Sequence, residues 1–511
     1  MRVLVAFTSA VVLVAATLAL PSCSSDSPAA AAPPDGGEVD GGTTVVDPAH
    51  EAGAPGDAAV ESLDFRSGTR LRLVTTTGGT VGLVSRLHDA QLGVDCTFQT
   101  LADGAPHCVP ASKRPGSVYF TDASCSQKIV GWPATCAPST PDKYALYTNA
   151  AVACPTPEVL ELGVASPPAM TYETNNGACM PYAGPALTYR SVTRTVPPSE
   201  LVAATVSREA RGKQLFSTYF EGADGSRQLF GIEDSAPHAG PCAEAKLADG
   251  TLRCAPTKLA FIEGFFSDAT CNAASPAAYA PGYGGPACNS MPVAILESAN
   301  GTCAGTYAAK YHDVGAKLPE PVYQGGPASC MVASAQGPGT AFYARGAPIA
   351  ESAFALMKHA QSFEKPLGVD LTYTETNERL QPASFWDQDR YATCSGRRAS
   401  DGKTRCMGRS VDSPTFADAA CQQPLAVVYH AAPGCALPVP THIWTETPAA
   451  DSCGEPTVRG FLVGAKVTPA QIYVGSSCTQ TVADTANADY FATIRELDPG
   501  GELVELVDVT E

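Results

Sequence analysis

The chain has 511 residues, with 33 Lys and Arg against 51 Asp and Glu, a net charge of −18 at neutral pH. That balance repels nucleic acid and anionic lipid head groups and argues against both as partners; on most proteins an acidic surface is a solubility device. The other outlying number is nineteen cysteines, and they carry the architecture.

Residues 1–22 open MRVLVAFTSAVVLVAATLAL, one arginine followed by an uncharged, predominantly apolar run from Val3 to Leu20. This is the pattern of an export signal. A transmembrane anchor of similar length would be followed by a positive stop-transfer cluster, and none follows. Instead Leu20-Pro21-Ser22-Cys23 resembles a bacterial lipobox, which implies that Cys23 is acylated and becomes the mature N-terminus. Pro21 is not the usual residue two before that cysteine. Residues 23–62 are expected to be a disordered acidic tether. From Ser24 to Ser62 there are eight carboxylates, no Lys or Arg, and no Leu, Ile, Met or aromatic residue, so the segment has nothing to bury. As a coil it reaches roughly 35 Å, and fully extended about 120 Å.

Beyond Cys23 the cysteines fall in three sets of six. They are Cys96, Cys108, Cys125, Cys136, Cys154 and Cys179; then Cys242, Cys254, Cys271, Cys288, Cys303 and Cys330; then Cys394, Cys406, Cys421, Cys435, Cys453 and Cys478. The gaps run 12, 17, 11, 18, 25; 12, 17, 17, 15, 27; and 12, 15, 14, 18, 25. Matching spacing in three sets means three copies of one module, expected over 63–210, 211–360 and 361–511. The shortest gap, 11, excludes CxxC zinc, haem and thioredoxin-like motifs. Even sets of six in an exported chain imply three disulfides per copy and nine in all, none crossing between copies. Six cysteines allow fifteen pairings; pairing in chain order is favoured because the first two flank one hairpin.

Three blocks recur around those cysteines. The first is CTFQTLADGAPHC, CAEAKLADGTLRC and CSGRRASDGKTRC. In the third version Gly396 and Gly402-Lys403-Thr404 mimic a phosphate-binding loop, but five residues separate the glycines where the cradle needs four. The shared Asp103-Gly104, Asp249-Gly250 and Asp401-Gly402 are instead hairpin tips, with the positive φ angles of a tight turn. The second block, YFTDASC, FFSDATC and TFADAAC, aligns Phe120, Phe266 and Phe416, and likewise Asp122, Asp268 and Asp418. The third aligns Gly163, Gly315 and Gly464, and also Tyr172, Tyr323 and Tyr473. Short apolar or alternating runs broken by Gly and Pro predict an all-β fold with ten to twelve strands per copy. Twelve divides into four-stranded blades, so the architecture is either β-propeller-like or three disulfide-stapled β modules in a row. The one segment with helical character is 350–363, AESAFALMKHAQSF.

Lipobox, Ala/Pro/Gly/Asp tether and tandem Cys-rich β modules together resemble uncharacterised lipoproteins of diderm bacteria, and the DGxxRC and YFxDAxC blocks resemble a repeat family without assigned activity. The resemblance covers the whole chain. It implies location and architecture, an outer-membrane or cell-surface address, and brings no catalytic residues. Copy one departs from the pattern at His107, where the others have Arg253 and Arg405.

No GxSxG elbow, HExxH helix or GxGxxG loop occurs. Of the histidines at 88, 107, 238, 312, 359, 430 and 442, none recurs in all three copies, and a repeated enzyme is expected to repeat its catalytic groups. Asp89, Asp234 and Asp387 precede the first cysteines and form a third aspartate column. Either these columns collect Ca²⁺ or each carboxylate caps its own loop; without a DxDxDG run the capping reading is preferred, and no metal or cofactor is expected. Trp132, Trp386 and Trp444 are not one column, so they make no shared glycan platform. The sequence therefore points to a lipid-anchored, non-catalytic binding or structural surface protein of the cell envelope. Its expected partners are the membrane, through the lipid on Cys23, and a protein or glycan ligand; nucleic acid is not among them. The alternative is an extracytoplasmic hydrolase with a site in loops of one copy, for which His88-Asp89 and His430 are the first residues to test.

Overall fold

The computed structural model describes residues 64–111, 116–134, 142–149, 156–175, 178–235, 240–247, 249–280, 291–299, 308–333, 340–361, 365–390, 392–408, 415–429, 439–447, 456–475 and 478–510. Signal, lipobox cysteine and tether lie outside these residues, as do Cys136, Cys154, Cys288, Cys303, Cys435, Cys453 and His430. Almost every regular element is a strand. The cause is visible in runs such as Leu71–Gly78, LRLVTTTG, where Leu71 and Leu73 are buried and Arg72 between them is partly exposed. Period-2 burial of β-branched and aliphatic residues is what a half-buried sheet demands.

Five-stranded antiparallel meanders occur three times. The second runs Ala204–Arg211, Leu215–Gly222, Arg227–Asp234, Gly240–Lys246 and Leu252–Pro256. The third runs Met357–Gln361, Leu367–Thr374, Arg379–Asp387, Ala392–Arg398 and Thr404–Gly408. In the first, Leu71–Gly78, Val81–Asp89, Val94–Thr100 and Pro106–Pro110 follow one another, but the edge strand comes from the other end of the chain. Val507–Thr510 pairs with Leu71–Gly78, Val74 opposite Thr510 and Thr77 opposite Val507. Strands Ala204–Arg211 and Met357–Gln361 straddle the module boundaries read from cysteine spacing, so each meander takes its first strand from the preceding stretch of chain. The meanders are five-stranded where the strand count had suggested blades of four.

The three meanders close on one another. Leu71, Leu73, Leu87 and Phe98 of the first bury Val202 and Ala204 at the entry to the second, and the rings of Phe98 and Phe220 lie 4.9 Å apart. Leu215, Cys242 and Cys254 of the second pack with Ala355, Met357 and Leu380 of the third. Leu367, Phe385, Cys394 and Cys406 of the third pack with Val81 of the first and with Leu506. The result is a ring in which the last strand joins the first sheet.

After each of the first two meanders comes a second sheet, and after the third come a three-stranded and a four-stranded sheet. In the middle third of the chain the second sheet is a closed ring of five strands. Leu259–Phe266 pairs with Pro276–Ala280, then come Ala341–Pro348, Ala308–Lys317 and Ala294–Ala299, which returns in parallel to Leu259–Phe261. The corresponding strands of the first third keep the same neighbours, Ser117–Phe120, Lys128–Pro133, Leu187–Val196, Glu158–Ala165 and Tyr144–Tyr147, and in both thirds a hairpin extends the first strand, Tyr172–Asn175/Ala178–Pro181 in one and Tyr323–Gln324/Met331–Val332 in the other.

Two expectations are corrected. The described part of 350–363, residues 350–361, is not a helix: Glu351–Ala353 is one 3-10 turn and Met357–Gln361 is a strand. The free edge of Leu367–Thr374 offers Met357 a full ladder and a buried slot, and that tertiary gain outweighs the helical propensity of a short segment. Pairing in chain order holds only for the first disulfide of each set, Cys96–Cys108, Cys242–Cys254 and Cys394–Cys406. The third cysteine bonds the sixth, as Cys125–Cys179, Cys271–Cys330 and Cys421–Cys478, because the outer hairpin folds back over the YFxDAxC loop. In the chain-entropy model the 12-residue closures stabilise by about 3 kcal/mol each and the 54- to 59-residue closures by about 4 kcal/mol.

Candidate functional site

The shared aspartates are spent on their own loops. Gly104, Gly250 and Gly402 take φ near 80°, while the preceding aspartates accept the backbone N–H two residues on, at 3.1 Å for Ala105, 2.8 Å for Thr251 and 3.1 Å for Lys403. Only the glycine is left-handed, and the tip spans Leu101 to Ala105, closed by the Leu101 N–H donating to Ala105 O at 3.1 Å. It is a longer turn than the two-residue hairpin the dipeptide implied. Asp122 accepts from the N–H groups of Ser124, Ser126 and Gln127, and Asp418 from Gln422 and Gln423. These bonds hold Cys125, Cys271 and Cys421 at φ of 51°, 50° and 51°, a left-handed conformation rare outside glycine. Hydroxyl and N–H donors depress the Asp122 and Asp268 carboxyls below the usual carboxylate range. Among the described residues no three His, Cys, Asp or Glu side chains gather as a metal site.

The third aspartate column is buried. Asp89 takes a bidentate grip from Arg70, with Nε at 2.9 Å and Nη2 at 2.7 Å. His88 turns the other way, and its Nδ1 lies 2.9 Å from Asp95; His88 and Asp89 are on opposite faces of one strand and form no dyad. His107 lies 2.8 Å from Asp103. At the corresponding positions Arg253 and Arg405 each donate to a carbonyl of the chain leading to the next meander, Phe354 O and Leu503 O, both at 2.8 Å. The imidazole is too short to reproduce that reach. His359 stands between Glu244 and Asp370, where the meanders meet, and these two carboxylates raise it to about 10. Trp132, Trp386 and Trp444 are core residues.

What distinguishes one copy is the corner where a meander meets its second sheet. The same strap docks there three times, with Cys108 N–H donating to Val202 O, Cys254 to Ala355 O and Cys406 to Val504 O, each at 2.9 Å. A side chain then ties the strap: Arg70 to Glu200 O at 2.9 Å, Gln214 to Ala353 O at 3.1 Å, and Arg390 to Glu502 O at 2.7 Å. In copy one Tyr144 fills the corner among Leu101, Val109, Val159, Val196 and Leu201. In copy two Ala294, Tyr311 and Phe354 fill it.

Copy three has His442 where copy one has Tyr144; Val463 N–H donates to Thr441 O just as Leu162 N–H donates to Lys143 O. Trp444 fills the core of this corner with Ala399, Met407, Val458, Leu497 and Leu503, and beside it lies a cavity of about 330 Å³ bounded by Asp389, Arg390, His442, Leu462, Arg495, Leu497, Gly501 and Glu502. Arg390 Nη1 donates to Asp387 at 2.6 Å, while its buried Nε has no hydrogen-bond partner. Arg495 forms two 2.7 Å bonds with Glu502, whose carboxyl is held down at about 2 by that guanidinium and the Asp498 N–H. Burial, then the Arg390 charge, pushes His442 below its ordinary value, so its imidazole is neutral at physiological pH. No hydroxyl or thiol side chain lines the cavity. A second hollow, about 260 Å³ beside Phe230, Ile232 and Pro241, has Glu233 as its one ionised group, and Arg208 pairs with it.

The profile of the Family of unknown function (DUF7481) matches residues 51–365, more than half of the chain. The chain belongs to that family. DUF7481 residues thus include the second meander, the first meander apart from its edge strand Val507–Thr510, and the second sheets that follow both, while most residues of the His442 corner lie beyond the matched stretch. Comparison with curated proteins found no match, and neither did comparison with solved structures. The six disulfides among the described residues mark this member as extracytoplasmic. No helix among the described residues is long and apolar enough to cross a membrane.

Sequence reasoning noted His442 only as an isolated histidine and missed Arg390, Arg495 and Glu502. A signal was present: the residue aligned with the buried Tyr144 is polar in copy three. The strap arginine hid because Arg70 precedes its meander while Arg390 follows Asp387 by three residues.

Proposed function

We propose that this protein is an exported, lipid-anchored component of the cell envelope that binds a ligand without transforming it. Acylation of Cys23 anchors it at the outer membrane or cell surface, and the acidic tether holds the modules away from the bilayer. Three six-cysteine copies then present a durable surface. The single observation that supports the non-catalytic reading is that the charged groups of the His442 cavity are committed to structural partners: both Glu502 oxygens are held by Arg495, and Arg390 is held by Asp387 and the Glu502 carbonyl. Hydrolysis needs a side-chain nucleophile or an activated water together with an available acid or base; Thr441 Oγ1 lies 2.9 Å from His442 Nδ1 but is not among the residues that line the cavity. Elsewhere His88, His107 and His359 are committed to structural carboxylates.

The test has two arms. Cys23→Ala is expected to move the protein from the membrane to the soluble fraction; retention on the membrane counts against the anchor. The purified protein is expected to be inert on panels of glycan, ester and peptide substrates. Turnover abolished by His442→Ala or Asp389→Ala makes it an enzyme instead.

A further inference from the structure

Each copy carries an outer hairpin whose second strand is the last of its sheet among the described residues. In copy three that strand is Thr479–Val482, TQTV, which pairs with Gln471–Val474 along one side. Ala483 N–H donates to Ala470 O, so the alternation of an antiparallel ladder turns the N–H and C=O groups of Gln480 and Val482 outward. All four side chains of the strand are exposed. Val482, at 77%, is the most exposed large apolar side chain among the described residues. Natural sheets blunt such an edge with Lys, with Pro or by keeping the strand very short, and the other two copies do so. In copy one Tyr182 N–H donates to Thr171 O at 2.8 Å, which places Pro181 outward, opposite Tyr172; a proline has no N–H to offer there. In copy two the strand is only Met331–Val332. Gln480, opposite Tyr473, holds the place of Pro181, and copy three alone leaves the edge open.

We propose that the edge at Gln480–Val482 docks an extended, cationic polypeptide segment as an added strand. The inference rests on the binding reading above and names the partner's chemistry. Outward amides and carbonyls in strand register are met by another extended backbone, which is how strand addition gives affinity. The surroundings set the charge. From Val467 to Ile494 there is no Lys or Arg. Asp484, two residues beyond Val482, takes its side-chain bonds from the Asn487 amide. Asp418 lies in the loop that the Cys421–Cys478 bond ties to the hairpin, and it accepts from the N–H groups of Gln422 and Gln423. Neutral donors hold a carboxylate in place without cancelling its charge, so Lys or Arg flanking the added strand is favoured and Asp or Glu is repelled. The same field opposes two other occupants. A second copy brings another net charge of −18, and residues 24–62 bring eight carboxylates with no Lys or Arg.

The experiment uses the full-length protein and a labelled peptide alternating Lys with Val, read by fluorescence anisotropy. A second peptide carries Glu for Lys, and a third carries Pro at its centre and cannot pair. Hydrogen exchange follows the Gln480 and Val482 amides. Gln480→Pro installs the copy-one residue and Val482→Lys places a cation on the edge; unfolding midpoints close to that of the unaltered protein show that both fold. The expected result is that the Lys peptide binds and slows exchange at both amides. Its affinity is expected to fall about tenfold or more in each variant, the effect of losing a backbone hydrogen bond or of meeting a like charge. The Glu and Pro peptides are expected to bind the unaltered protein at least about tenfold more weakly than the Lys peptide. A Lys peptide that binds Gln480→Pro as tightly as the unaltered protein overturns strand addition at this edge and leaves the binding role standing. Equal affinity for the Lys and Glu peptides overturns the cationic partner. Self-association of the protein that Gln480→Pro abolishes overturns it in favour of a second copy. Absence of binding by all three peptides overturns the inference altogether without touching the binding role, and cleavage of the Lys peptide overturns the non-catalytic role instead.

Discussion

Leu506→Ala tests the ring closure. Leu506 is 4% exposed and lies in the cluster that holds Val81 of the first meander against Leu367, Phe385 and the Cys394–Cys406 bond of the third. Its backbone N–H donates to Thr404 O at 2.9 Å, so the side chain is clamped and its neighbours are disulfide-stapled. A cavity there relaxes little, and truncation of a buried leucine in such a setting costs about 2–5 kcal/mol. Val509, three residues on, is 49% exposed in the closing strand, and Val509→Ala is expected to cost about 0.5 kcal/mol. Both variants leave the ladder between Val507–Thr510 and Leu71–Gly78 chemically intact. The assay is guanidinium unfolding with disulfides oxidised, followed by hydrogen exchange of the Val74 and Thr76 amides. Leu506→Ala is expected to lower the midpoint far more than Val509→Ala and to speed exchange on the first meander, more than 400 residues away in sequence. Equal, small effects from both substitutions refute the closure of first and third meanders through this core.

Replacing Cys125 and Cys179 by Ala is expected to cost about 4 kcal/mol, against about 3 kcal/mol for Cys96 and Cys108, because the closed loops span 54 and 12 residues; paired unfolding curves order the two. His359 is raised to about 10 by Asp370 and Glu244, so its contribution is complete below the ordinary histidine value of about 6.5 and is lost as pH rises towards 10. His359→Gln is expected to flatten stability between those limits, and an unchanged slope speaks against the paired imidazolium. A Cβ at Gly408 would run into the Trp444 indole, so Gly408→Ala is expected to cost about 1–3 kcal/mol and to shift tryptophan fluorescence.

The all-β class was legible in the sequence because it depends on local chemistry: apolar alternation, glycine and proline punctuation, and Asx turns at Asp103 and Asp122 that need no distant partner. The extracytoplasmic setting was legible for a similar reason, since cysteine number and the absence of CxxC do not depend on topology. Tertiary structure alone decided which partners meet. Met357–Gln361 carries a helical pattern and becomes a strand because a sheet edge waits for it. Cys125 takes Cys179 rather than its chain neighbour because a hairpin 54 residues on folds over its loop. Val507–Thr510 belongs to the first sheet because the ring closes, a pairing that no local window contains. The His442 cavity likewise brings Asp389 and Arg390 together with Arg495 and Glu502, about a hundred residues on in the chain; packing volume and the reach of a side chain exist only after the strands have been brought together.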